Sequence, residues 1–209
     1  MTLRLNGSTS GYTEIDAPAV AGSNTLVLPT GNGTADQVLA GNGSGALSWV
    51  NRGRLVLETA KSNNGSTNVE FTGIPSWAKR IRLTILTMST NGTSVPQLQV
   101  GSGSYSTGGY AGQAWAGASS ASGVATTGVY LQTANDASWT LNGIATLQLI
   151  SNNQWIVDGT LMFSSATSVG YQFAGYTPAL SGPLDRIRII TVNSTDTFDS
   201  GAFNILYEG

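Results

Sequence analysis

The chain has 209 residues, of which only 10% are charged, with a net charge of −2 and neither histidine nor cysteine. Those absences exclude disulfides, thiol chemistry, the usual zinc sites and every triad built on histidine. Two lysines, Lys61 and Lys79, with a few scattered arginines make no basic patch, so a nucleic-acid partner is not expected.

A length of 209 residues fits one domain with an appendage, or two small domains. The charged fraction lies far below the roughly 25% of ordinary soluble domains. Its place is taken by 27 glycines and by many Ser, Thr and Asn, beside a 40% hydrophobic content. Disorder needs high net charge and few apolar residues, so the composition favours strands. The start, MTLRLNGSTSGY, has no apolar run behind its charge, which predicts no secretory leader. No run approaches the ~18 apolar residues of a membrane span, and no membrane insertion is expected. Synthesis in a cytosol follows. The Asn-x-Ser/Thr sequences at Asn6, Asn32, Asn42, Asn64, Asn91 and Asn193 then read as turns, since all but the last are Asn-Gly.

Residues 1–51 hold short apolar groups between Gly- and Asn-rich turns: Leu3 and Leu5, Tyr12 and Ile15, residues 26–28, Val38 and Leu39, Leu47 and Trp49. None is long enough for a core of its own, which predicts an extended arm covered by other chains. Residues 52–209 read as the globular part. Residues 54–59 and 69–72 are short strand candidates, with a hairpin turn expected at Asn63-Asn64-Gly65-Ser66. Residues 79–88 are the clearest strand, with Ile81, Leu83 and Ile85 on one face and Arg80, Arg82 and Thr84 on the other. Its KRIRLTI echoes DRIRIIT at 185–191, as two equivalent strands of one sandwich would.

Residues 89–128 are the least regular, with one strand at 97–100. Within them, residues 101–123 interleave Tyr105, Tyr110 and Trp115 with Gly, Ser and Ala. A long aperiodic stretch in a compact β-domain is often functional. Strands are then expected at 129–133, 138–141, 145–150, 155–163 and 169–173, with turns at Asn142-Gly143 and Asn152-Asn153. Residues 184–209 carry two more, the first mixing phases at Ile190 and Val192 as a bulge or a doubly buried strand does. Turn chemistry at residues 193–196 separates them. No segment has a helical period. The expected fold is all-β: an antiparallel sandwich, jelly-roll-like, behind an N-terminal arm.

For catalysis only carboxylates are at hand: Glu14, Asp16, Asp36, Glu58, Glu70, Asp136, Asp158, Asp185, Asp196, Asp199 and Glu208. Sugar hydrolysis needs two that face each other. The closest pair in a loop, Asp196 and Asp199, reads better as turn caps and partners of Arg186 or Arg188. Its D-x-x-D spacing lacks the alternating ligands of a calcium loop. Gly101-Ser102-Gly103 and Gly41-Asn42-Gly43 open no helix and precede no Gly-Lys-Ser/Thr, so neither is a phosphate loop. No catalytic residue, metal ligand or cofactor is expected. A glycan site needs no ionisable group: aromatic planes meet the C–H faces of sugar rings, and Asn, Gln and Ser read the hydroxyls. Tyr105, Tyr110 and Trp115 are the candidates, with the core or an oligomer axis as their alternative place. Trp77, Trp139 and Trp155 lie in strand-like contexts and read as core.

Three stretches carry a resemblance. DRIRIITVNSTDTFDSGAFNILYEG, at residues 185–209, resembles the C-terminal end of bacteriophage fibre and receptor-binding proteins. IPSWAKRI, at 74–81, resembles the matching strand of the same proteins. GYTEIDAPAVAGSNTLVLPTGNGTADQVLAGNGSGALSWV, at 11–50, resembles a module common near the start of tail and head fibres. The resemblance implies a structural virion protein on the tail or capsid surface, assembled in host cytoplasm. It implies a homotrimer that joins other virion proteins through its arm and host cell-surface polysaccharide through its globular part. A capsid decoration or head fibre without a receptor role, and a glycan depolymerase, are the other readings.

Overall fold

A computed structural model describes the chain except for residues 1, 2, 21, 36, 52, 63, 64, 118, 119, 122 and 164–169. Asp36 and Asn63-Asn64, singled out above, therefore lie outside the described residues, as does Val169 at the start of an expected strand. The chain divides into two compact units, Met1–Arg52 and Gly53–Gly209. No described residue is helical, and all strand ladders are antiparallel.

In the first unit the chain does not run straight, as an extended arm would; it doubles back twice. Strands Leu3–Asn6 (β1) and Tyr12–Ile15 (β2) pair as a hairpin, Leu3 opposite Ile15 and Asn6 opposite Tyr12. Every residue of this hairpin is exposed. The Arg4 guanidinium lies 3.4 Å from the Tyr12 ring centre. Strands Gln37–Gly41 (β3) and Leu47–Asn51 (β4) make a second hairpin. Its turn holds Asn42, whose side-chain oxygen accepts from the amides of Ser44 and Ala46, and Gly43 at φ 83°. The Trp49 indole donates to the Gly31 carbonyl at 2.6 Å and lies flat on Gly33, where a Cβ would come within 2.6 Å of the ring. Glycine is thus required at 33, also by its φ of 71°. Leu3, Leu5, Tyr12, Ile15, Leu26 and Leu28 are all more than half exposed.

The second unit carries Leu55–Leu57 (β5), Lys61–Ser62 (β6), Asn68–Thr72 (β7), Arg80–Thr90 (β8) and Pro96–Ser102 (β9). Ser104–Tyr105 (β10), Ala111–Ala116 (β11), Ser120–Ala121 (β12) and Val129–Tyr130 (β13) follow. The last are Leu141–Ser151 (β14), Gln154–Phe163 (β15), Gly170–Tyr176 (β16), Arg186–Thr191 (β17) and Phe198–Glu208 (β18). Their pairing is nested about the middle of the chain. β9 pairs with β13, β8 with β14, β7 with β17, and β5 and β6 with β18. Two further ladders, β17 with β9 and β18 with β8, join these pairs into a small sheet and a large one.

Alternation makes these strands half-buried. In β8, Ile81, Leu83 and Ile85 are at most 2% exposed while Arg80, Arg82 and Thr84 face water. Leu147 and Val157 of the large sheet, with Leu98, Val100 and Ile187 of the small one, belong to one hydrophobic cluster. Phe203 and Ile205 of β18 lie in the same cluster. β17 is buried on both faces from Ile189 to Thr191, which accounts for its mixed phase.

Several sequence expectations need correction. Asn142-Gly143 is not a turn; it lies inside β14. Leu86 and Thr87 of β8 together face the single Asn142, a bulge in which the Thr87 amide, at φ 53°, donates to Asn142 Oδ1 at 2.8 Å. Gly143 serves close strand approach, since a Cβ there would meet the Thr160 carbonyl at 2.0 Å. The turn at Asn152-Asn153 is present, both residues having φ near 50–60°. The strand expected at 138–141 begins only at Leu141, because Asp136 and Ser138 form a turn. The strand expected at 129–133 stops at Tyr130. The strands expected at 54–59 and 69–72 do not form a hairpin with each other; β5 joins the large sheet and β7 the small one, and the two-residue β6 between them pairs with β18. Among the described residues of 89–128 there are four strands, β9 to β12, against the one expected.

The buried and exposed phases of these strands should separate sharply on mutation. Phe203→Ala, in the shared cluster, is expected to lower unfolding free energy by about 3–5 kcal/mol. Arg82→Ala, on the wet face of β8, should stay within about 0.5 kcal/mol of the parent in the same urea titration.

Candidate functional site

Two excursions leave the nested core of strands and meet. Residues between β9 and β13 supply β11, and residues between β14 and β17 supply β15 and β16. β11 pairs with β16, and β16 with β15, so the large sheet grows sideways beyond β14. Register then fixes which side chains share the outer face. Trp115, Gln172 and Thr160 form one row across β11, β16 and β15. Gln113, Ala174 and Asp158 form the next, and Ala111, Tyr176 and Ile156 the third. The intervening residues Ala114, Phe173 and Val157 point into the core.

The small Ala174 at the centre of this grid leaves a shallow groove of about 420 Å³. Trp115, Tyr176, Ile156 and Val124 line it, with the Gln113 amide among them. Trp115 is 37% exposed, Tyr176 45% and Ile156 40%, so three large apolar side chains meet solvent side by side here. Trp115 and Tyr176 are one strand and four residues apart, roughly 14 Å along the sheet at ~3.4 Å per residue. Flat rings at that spacing, with amides nearby and no charged group among the lining residues, suit the apolar face and hydroxyl rim of a saccharide.

The structure does not bring the three sequence-predicted aromatics together. Trp115 alone lies in the groove. Tyr110 is a core residue, 4% exposed. Its hydroxyl accepts from the Val100 amide at 2.9 Å and lies 3.0 Å from the Ser106 carbonyl it donates to. Burial pushes that phenol up to about 12. No ligand ring reaches it, and it is withdrawn as a binding residue. Tyr105 lies on the other sheet, in β10, half-buried beneath Arg188, whose guanidinium carbon is 4.2 Å from the ring centre. Burial, then the nearby Glu70 carboxylate, raises its phenol to about 12 as well. Arg188 is held by Gln99 at 2.7 Å and Glu70 at 3.8 Å, so Tyr105 belongs to a satisfied surface network.

The carboxylates are likewise dispersed. Asp196 does cap its loop, accepting from Asn193 Nδ2 at 2.7 Å and the Ser94 amide at 2.9 Å. It does not pair with Arg186 or Arg188. Arg186 is taken bidentately by its neighbour Asp185, at 2.7 and 3.1 Å, and that hydrogen bond holds the Asp185 carboxyl below its usual range. Glu58 accepts from the Tyr207 hydroxyl at 2.5 Å. Of the three tryptophans read as core, Trp155 is 2% exposed, while Trp77 and Trp139 are partly buried against the cluster.

Sequence reading missed Tyr176, Ile156, Val124 and Ala174. A signal was present in YQFAGY: Tyr171 and Phe173 share one phase, which puts Gln172, Ala174 and Tyr176 on the other. The pairing of β16 with β11 had no local signal. No family model, curated protein or solved structure matches the chain.

The two aromatics from one sequence stretch should behave oppositely. Tyr110→Phe strands the Val100 amide and should cost roughly 1–3 kcal/mol in thermal or urea unfolding. Trp115→Ala, on the open face, should cost less than about 1 kcal/mol in the same assay.

Proposed function

We propose that the chain is a homotrimeric bacteriophage fibre, or fibre tip, that attaches the virion to host-surface glycan through the groove around Trp115. In this reading the globular unit is a β-sandwich of jelly-roll type. Support comes from the nested strand pairing, which wraps one long antiparallel pair of chain halves into two facing sheets. The first unit acts as the arm that holds the copies together and joins them to other virion proteins. A lone two-stranded hairpin is marginal in water, and β1–β2 has no covered face. Association with like chains is the remedy this reading assigns to it. The resemblance of residues 11–50, 74–81 and 185–209 to phage fibres supports the virion setting and the number three.

The observation that carries the binding role is the groove itself. Trp115 and Tyr176 lie on one exposed face with a small floor and no charged lining residue. We read the protein as a binder and not as a glycan hydrolase, because the groove lining offers no pair of carboxylates for acid–base chemistry. Both rings are substantially exposed, so removing them leaves the fold in place.

Cell adsorption of the purified protein tests this. Nucleobases stacked on aromatic side chains contribute of order 1–3 kcal/mol each; with sugar rings taken at the low end of that range, Trp115→Ala with Tyr176→Ala should weaken binding at least about tenfold. The melting temperature should stay close to the parent value. Undiminished adsorption by the double variant would remove the groove from the attachment function.

A further inference from the structure

The hollow over Ala174 does not end the groove face. One row beyond Trp115, the Gly117 amide donates to the Gly170 carbonyl at 3.3 Å, and Gly170 lies opposite Met162 of β15. A Cβ at Gly117 would meet nothing within 4 Å, and one at Gly170 only the Leu161 carbonyl at 4.0 Å. The space that two side chains would fill is open, and a second hollow of about 570 Å³ lies there. Met162, 58% exposed, is its apolar wall. The row of Trp115, Gln172 and Thr160 stands between the two hollows: Trp115 lines the first, Gln172 and Thr160 the second.

The second hollow repeats the chemistry of the first. None of its described lining residues is charged. Met162 offers a polarisable surface that adapts to the shape laid on it. The Gln172 amide and the Thr160 hydroxyl have no hydrogen-bond partner in the chain, so both can meet the hydroxyls of a ligand. Asp158, at the rim opposite Ala174, is likewise without a partner and can accept from a hydroxyl. Tyr176 and Gly170 are six residues apart on β16, roughly 20 Å at ~3.4 Å per residue. That length exceeds a mono- or disaccharide. Both hollows lie along β16, so the face is a track for a chain and not a socket for a terminal sugar.

We propose that the glycan is held as a linear chain lying along β16 over both hollows. Trp115 meets its middle, Tyr176 receives one end, and Met162 with Gly170 receives the other. The inference rests on the glycan reading of the groove proposed above. It adds that the ligand is the interior of a polysaccharide, several sugar units at a time, and not the tip of a branch.

Calorimetry of the full-length chain with size-fractionated fragments of host-surface polysaccharide tests it. Affinity should rise at least about tenfold between disaccharides and fragments long enough to pass Trp115 on both sides. Gly170→Leu puts a branched side chain into the second hollow at a position open to it. It should abolish that gain and leave disaccharide affinity within about twofold of the parent. Met162→Ala removes the wall and should lose part of the gain; it replaces Gly170→Leu if circular dichroism shows that variant unfolded. Trp115→Ala should weaken short and long fragments alike. An affinity that does not grow with length, or a gain that survives these changes at the second hollow, overturns the inference and leaves the groove as a site for a short or terminal sugar. No binding of any fragment overturns the glycan reading, and the inference with it.

Discussion

The globular unit depends on its last strand. β18 lies between β8 on one side and β5 and β6 on the other, and it places Phe198, Phe203, Ile205 and Tyr207 in the core. Each of these contacts joins the end of the unit to its beginning or to its first third. Loop closure over such distances costs entropy that local contacts do not offset, so the strand is held by burial. Three of its rings are tied further. Phe198 and Phe203 meet edge to face at 5.9 Å, and Tyr207 packs against Trp77 at 5.5 Å while donating its hydroxyl to Glu58. Through β7 the strand also meets the small sheet, so its side chains and those of β17 and β9 share one hydrophobic cluster.

The groove is a consequence of where that nested order is interrupted. An excursion between β9 and β13 and another between β14 and β17 leave the core separately, each too small to bury an apolar face alone. Pairing β11 with β16 lets them share the large sheet and bury Ala114, Phe173 and Tyr171 on the inner side. Their outer side is then an extension of the sheet, whose register fixes the spacing of Trp115 and Tyr176. Low charge on the chain as a whole suits such a surface, because neutral sugars offer nothing for an ionic contact to gain.

What the sequence made legible was local. Period-two alternation placed Ile81, Leu83 and Ile85 inside, and Asn152-Asn153 turned as its residue types require. Asn142-Gly143 misled because the same dipeptide serves a bulge when the neighbouring strand brings a surplus residue, here Thr87, and nothing in residues 138–145 reports on residue 87. Tyr110 and Trp115 looked equivalent in an aperiodic stretch. They differ because Tyr110 precedes β11 and reaches back to Val100, while Trp115 lies within β11 on its outward phase. The groove was half visible for the same reason: one of its aromatics comes from each excursion, and their meeting is a property of the sheet order alone.

The central claim is that this meeting of β11 and β16 makes the surface that reads host glycan. The chain has five tryptophans, whose indole N–H signals are resolvable by nitrogen-labelled NMR and assignable through Trp115→Phe. Titration with oligosaccharides released from the host surface should move the Trp115 indole signal progressively and leave those of Trp49, Trp77, Trp139 and Trp155 in place. A Trp115 signal that stays fixed while the same oligosaccharides shift another tryptophan, or shift none at saturating concentration, would contradict the account.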